Sequence, residues 1–436
     1  MSIAPVTIIG AGLAGSEAAW QLLRRGIPVR MYEMRPKKSS PVHTTDLFAE
    51  LVCSNSLRSN QLGNAVGLLK EEMRRLDSLV MRAADETCVP AGGALAVDRN
   101  LFSQYITDAL TSNPLFELIR EEVTEIPEGN VIIASGPLTS DALAQTLLDF
   151  CGSQRLSFYD AVAPIVSADS LDMDKIFAQS RYDKGDADYL NCPMDQEQYD
   201  AFVRELVAAE RAPMHDLEDI TVLEGCMPVE SMADRGHLTL AHGPLKPMGL
   251  ADPRTGKRPY AVVQLRMETR DATCYNLVGF QTRLKFPEQK RVFSMIPGLE
   301  NAQFLRYGVM HRNTFLDSPG ILNRDYSIKA EPRIAVAGQV SGVEGYVESA
   351  SSGLLAAVCM AARLQGRQMP YFSSKTAIGA LGEYVSLGNG GNFQPMNINF
   401  GIMPGLEKRI RNKKERCEAI AARALEEIDE IAQTLS

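Results

Sequence analysis

Val6-Thr7-Ile8-Ile9-Gly10-Ala11-Gly12-Leu13-Ala14-Gly15 opens the chain with a β-branched run, a glycine turn and the first residues of a helical pattern. Ser16–Leu23 continues that pattern, Gly26-Ile27-Pro28 breaks it, and Val29-Arg30-Met31-Tyr32-Glu33 reads as a second strand ending on an acid. Each glycine of such a strand–turn–helix has its own task. Gly10 permits the turn, Gly12 lets the backbone approach a pyrophosphate, and Gly15 lets helix and strand pack closely. The amides around Leu13 and Ala14 offer the positive end of a helix to phosphate, and Glu33 stands where a ribose hydroxyl needs an acceptor. This βαβ unit predicts dinucleotide binding.

Asn130-Val131-Ile132-Ile133-Ala134-Ser135-Gly136-Pro137 is a buried-strand signal stopped by Gly-Pro. Far downstream, Arg333-Ile334-Ala335-Val336-Ala337-Gly338-Gln339 is another strand closing on glycine. It leads through Val340-Ser341-Gly342-Val343-Glu344-Gly345 into a small-residue helix, Tyr346–Met360. Two such turns so far apart predict an α/β, two-dinucleotide-type FAD-binding fold whose parallel sheet is discontinuous in sequence. The expected division is a first FAD-binding part (1–160), an inserted α+β domain (161–325) and a second FAD-binding part (326–436). Within the insertion, Val262–Met267 and Asn276–Thr282 are strand-like.

The chain has 436 residues, 45% hydrophobic and 23% charged, which suits a globular protein of two or three domains and excludes disorder as its main state. No uncharged apolar run approaches the ~20 residues of a membrane helix, so no membrane association is expected. The opening strand has no basic n-region before it, and a cytoplasmic protein is expected. None of the eight cysteines forms a C-x-x-C pair, so neither a metal knuckle nor a vicinal dithiol is suggested. A net charge of −9 argues against indiscriminate coating of nucleic acid, including DNA. One local exception is Lys408-Arg409-Ile410-Arg411-Asn412-Lys413-Lys414-Glu415-Arg416, which reads as a basic stretch on a C-terminal helix, either a solvated face or an RNA contact.

Gly338–Ala350 resembles the flavin-side signature of FAD enzymes that modify tRNA uridines, with Gln339 where many other flavoproteins carry Asp. The larger branch of those enzymes has a long C-terminal region for which this length leaves no room. The smaller branch is the folate- and FAD-dependent tRNA (uracil-5-)-methyltransferase family, and the resemblance to it covers nearly the whole chain. Its blocks here include Glu50–Arg58, Val66–Met73, Val89–Arg99, Glu224–Glu230 and Gly308–Phe315.

The resemblance implies methylation of uracil carbon 5 in the T-loop of tRNA, with methylenetetrahydrofolate as carbon donor, FAD as reductant, and NADPH or NADH re-reducing the flavin. It implies Cys53 and Cys226 as the catalytic pair, and it implies that His311 stacks on the pterin. FAD would be held by Gly10, Gly12, Leu13, Ala14, Gly15, Glu33, Gly338, Gln339, Gly342 and Tyr346. The chemistry suits a thiol pair, because a thiolate added to carbon 6 of uracil makes carbon 5 nucleophilic. Cys53 is read as the nucleophile and Cys226 as acid or base, with the reverse assignment open. Asn55 and Arg58 lie close enough in sequence to steady a Cys53 thiolate, Arg58 reading equally as a surface ion-pair partner, and Arg99 is a candidate site residue. Arg254, Lys257, Arg258, Arg283, Lys285, Lys290 and Arg291 are candidates for tRNA phosphates. The alternative readings are a small-molecule FAD oxidoreductase, which has no use for two cysteines, and a non-catalytic RNA-binding flavoprotein. Oligomeric state is not legible.

Overall fold

The structure, a computed structural model, describes the chain except residues 1–2, 41, 153–154, 184–185, 213–226, 389–392, 409 and 436, and except the side chains of 155–160, 183 and 311–312. Its first sheet has six strands in the spatial order Ser327–Ile328, Glu331–Val336, Val131–Ile133, Val6–Ile9, Val29–Tyr32 and Phe116–Ile119. All but the first run parallel, with Ile8 opposite Met31 on one side and Ile132 on the other. Val6, Ile8, Val131, Ile132, Ile133 and Ile334 are fully buried. Continuous apolar runs are what a parallel sheet covered on both faces requires. Ile334 pairs with Val131, so the sheet joins the two ends of the chain as the glycine turns predict.

Helices Leu13–Leu23 and Tyr346–Leu364 cross over this sheet. A Cβ on Gly353 would lie 2.1 Å from the Ala14 carbonyl oxygen, and one on Gly15 would lie 1.9 Å from that of Gly10. Both glycines are therefore fixed by close approach of backbones. Tyr346–Leu364 is long and apolar enough to cross a membrane by length and composition, but Val347 through Ala362 are all buried inside the protein. A helix that is apolar all round is a core helix in this setting.

A second core is drawn from residues between Ala163 and Ala302. It lies on an antiparallel sheet in the order Phe177–Ala178, Tyr189–Met194, Ala261–Met267, Cys274–Leu277, Ile165–Ser167 and Phe304–Arg306. Helix Gln196–Ala208 contributes Tyr199 and Phe202 to it and starts at an Asp195–Gln198 capping box. The antiparallel ribbon of Arg155–Ala161 with Met310–Leu316 carries the chain out and back, and Phe315 is already part of the first core.

Two local expectations change. The strand read over Asn276–Thr282 is Cys274–Leu277, because Gly279 at φ 79° turns the chain. The C-terminal helix begins at Lys413, behind the start of the basic stretch: Asn412 Oδ1 accepts from the Lys414 amide at 2.9 Å and caps it. Lys408 and Arg411 precede the helix, and Arg409 lies outside the described residues.

Candidate active site

The two glycine turns open on one cleft of about 1020 Å³, part of it continuous with solvent. Gly10, Gly12, Leu13, Ala14, Glu33, Gly338, Gln339 and Tyr346 line it together. Gly12 is the N-cap of its helix with no side-chain cap, and a Cβ there would meet nothing within 4 Å. The uncapped helix start thus borders open space, where its amides suit a pyrophosphate. Gly15 and Gly342 lie behind this wall. Gly342, at φ 86°, leaves room for the Phe393 ring, which a Cβ would approach to 2.3 Å.

Glu33 is engaged on both oxygens. Oε2 accepts from the Ala11 amide at 3.0 Å and Arg35 Nη2 at 3.2 Å, and Oε1 from the Arg35 amide and Nε at 3.0 Å. Burial raises the Glu33 carboxyl, but the Arg35 hydrogen bonds and charge outweigh it and hold it below its ordinary value. Arg35 also pairs with Glu50 at 3.1 Å. A ribose hydroxyl at Glu33 has to share these lone pairs with Arg35. His43 lines the same wall, and burial together with Arg35 pushes its imidazole down to about 4. Sequence reasoning found the acid and missed Arg35 and His43, whose only local sign was their nearness to it.

Cys53 sits half-buried in the turn after Leu51, where its amide donates to the Tyr346 hydroxyl oxygen at 2.7 Å and that of Ser54 does so at 3.2 Å. The Cys53 sulfhydryl faces the Ala161 carbonyl at 3.7 Å. Tyr346, whose phenol is pushed up by burial and then by the charge of Cys53, is thus the link between thiol and cleft. Asn55 is fully buried and bridges the Val97 and Met267 carbonyls, both at 2.9 Å. Arg58 pairs with Glu348 instead of serving Cys53. Among the described residues, the guanidinium groups of Arg99, Arg266 and Arg306 act on Cys53, and only the first is a candidate from sequence.

Cys226 lies outside the described residues. His311 belongs to the strand Met310–Leu316 and pairs with Asp160, but its side chain is not described. Of the cations proposed for RNA, Arg254, Lys285 and Arg291 are ion-paired with Asp252, Glu210 and Glu205 at 2.8, 2.7 and 2.6 Å. Lys408 and Arg411 are exposed and line a groove with Arg416.

A parallel sheet that aims two glycine turns at one cleft defines a dinucleotide-binding protein of the FAD-binding class. A family profile described as "Glucose inhibited division protein A" matches residues 5–368. The "Methylenetetrahydrofolate--tRNA-(uracil-5-)-methyltransferase TrmFO" of Pelotomaculum thermopropionicum is 59% identical over 431 residues, covering 99% of each chain. Proteins of the same name from Listeria monocytogenes and Bacillus licheniformis are 58% identical over 430 residues, again covering 99% of each chain. The chain belongs to this TrmFO family. Aquifex aeolicus GidA shares its fold, with a TM-score of 0.71 at 15% identity over 100% of this chain and 74% of that one.

Proposed function

We propose that this chain methylates carbon 5 of uracil in the T-loop of tRNA, taking the carbon from methylenetetrahydrofolate. The observation that carries the proposal is the hydrogen-bonded link from the Cys53 amide to Tyr346 on the cleft wall. FAD suits that cleft, whose cradle is the uncapped helix start at Gly12 facing the second turn at Gly338 and Gln339. When bound, FAD supplies the hydride that turns an exocyclic methylene into a methyl group.

In this reading Cys53 adds as thiolate to carbon 6 of uracil, so that carbon 5 attacks the folate methylene. Cys226 removes the proton from carbon 5, which expels tetrahydrofolate and leaves the exocyclic methylene; reduction of that methylene restores the ring double bond and expels the Cys53 sulfur. Tyr346 fixes the Cys53 turn by accepting from two consecutive amides. His311 stacks on the pterin. NADPH or NADH provides electrons from outside, and the target uridine is extruded from the tRNA to reach the thiol. Segments 1–160 and 326–436 form the FAD-binding part, 161–325 is the insertion, and the enzyme works in the cytoplasm without DNA or membrane partners. The exposed cations at Lys408, Arg411 and Arg416 meet tRNA phosphates.

The experiment is mass spectrometry of the protein after reaction with 5-fluorouracil-containing tRNA. A covalent adduct on Cys53 is expected. An adduct on Cys226 reverses the two roles, and no adduct in a flavin-loaded preparation contradicts the uracil chemistry.

A further inference from the structure

The turn that carries Cys53 is gripped from two sides. From the first domain, Arg99, at the start of helix Arg99–Thr111, donates to the Leu51 carbonyl and, at 3.4 Å, to the Cys53 carbonyl. From the second sheet, Arg266 in strand Ala261–Met267 donates to the Ser54 hydroxyl at 2.6 Å and to Asn55 Oδ1 at 2.9 Å. Glu268, at the end of that strand, holds Arg99 through Nε at 2.5 Å and Nη2 at 3.2 Å. Among the described residues Arg266 has no carboxylate within ion-pair distance; its guanidinium hydrogen-bonds the turn and feels the charges of Glu268, Tyr189 and Cys53. Arg266 is buried and Glu268 nearly inaccessible, so solvent screens neither. Among the described residues, Arg306, from strand Phe304–Arg306, and Tyr346 also face Cys53.

We propose that Arg99 and Arg266 are positioning residues that hold Cys53 as a reactive thiolate, so that the inserted segment arms a cysteine carried by the FAD-binding part. The inference rests on the reading of Cys53 as a reacting thiol. A fork-shaped, permanently charged donor suits both tasks, because it fixes two acceptors at once while favouring a nearby anion.

The test is alkylation of Cys53 in the flavin-loaded protein by iodoacetamide, in which the sulfur displaces iodide, followed across pH by peptide mass spectrometry. In Arg266→Met the pH of half-maximal reaction is expected to rise by about one unit and the rate at pH 7 to fall about tenfold. Arg266→Lys keeps the charge and loses the fork, so its pH midpoint stays near that of the parent while its rate falls. Visible absorbance of the bound flavin reports folding in both variants. If the parent Cys53 alkylates readily and neither variant moves the pH midpoint or the rate, the inference is overturned and the reading of Cys53 stands. An inert Cys53 in the parent overturns both.

Discussion

Lys70 has no exposed surface, yet its side chain ends in an amine. Nζ donates to the Ser59 carbonyl at 2.6 Å, and burial, followed by the charge of Arg58, pushes the amine down to about 7. Above pH 7 the folded protein therefore releases a proton that the unfolded chain keeps until about 10.5. The unfolded state binds more protons across that window, so stability rises with pH through it. Lys70→Met removes the dependence. The stability difference between parent and variant is expected to shift by about 2 kcal/mol in favour of the parent from pH 7 to 9, measured as paired thermal midpoints. A gap that does not change with pH contradicts the assignment. Such a residue is hard to read in sequence: in helix Ala65–Arg75, Lys70 follows Val66 by one helical turn on the buried face, where local pattern anticipates a leucine. Glu33 was legible because its distance from the glycines is fixed by the βαβ unit. Arg35, which saturates it, was not, since nothing in a single chain marks which cation folds back.

At the level of elements, the crossing of Leu13–Leu23 and Tyr346–Leu364 brings both helix starts to one cleft. Gly353 sets how near they come. Gly353→Ala forces a methyl group against the Ala14 carbonyl and is expected to cost about 1–3 kcal/mol, read as a lower urea midpoint with weaker flavin retention. An unchanged midpoint contradicts the close approach. The small-residue run Ser349-Ala350-Ser351-Ser352-Gly353 was visible in sequence, as were both glycine turns, because each is a local signature. Element ends were less visible. Gly279 stops a strand although the strand-formers Phe280 and Thr282 follow it, and a single asparagine at 412 starts a helix inside a run of cations.

Across the whole molecule, two separate cores meet at the Cys53 turn. The buried pair Arg99–Glu268 joins them, with side chains 13% and 2% exposed. Glu268→Ala leaves Arg99 buried without its partner, and a loss of about 3–5 kcal/mol is expected by calorimetry. A loss below about 1 kcal/mol means that the pair does not hold the cores together. The discontinuous sheet could be read from sequence because each of its halves announces itself locally. The contact between Arg266 and Asn55 could not, because it spans 211 residues and depends on how the insertion docks. Cys226 rests on motif resemblance alone.

The proposed convergence of folate carbon and flavin electrons on one uracil is read out by incubating the flavin-loaded protein with tRNA, carbon-labelled methylenetetrahydrofolate and NADPH, then digesting the tRNA to nucleosides. Label is expected in the methyl group of 5-methyluridine, and none when Cys53 or Cys226 is alanine. Unlabelled tRNA from a fully flavinated preparation, or methylation sustained by S-adenosylmethionine instead, would contradict that convergence.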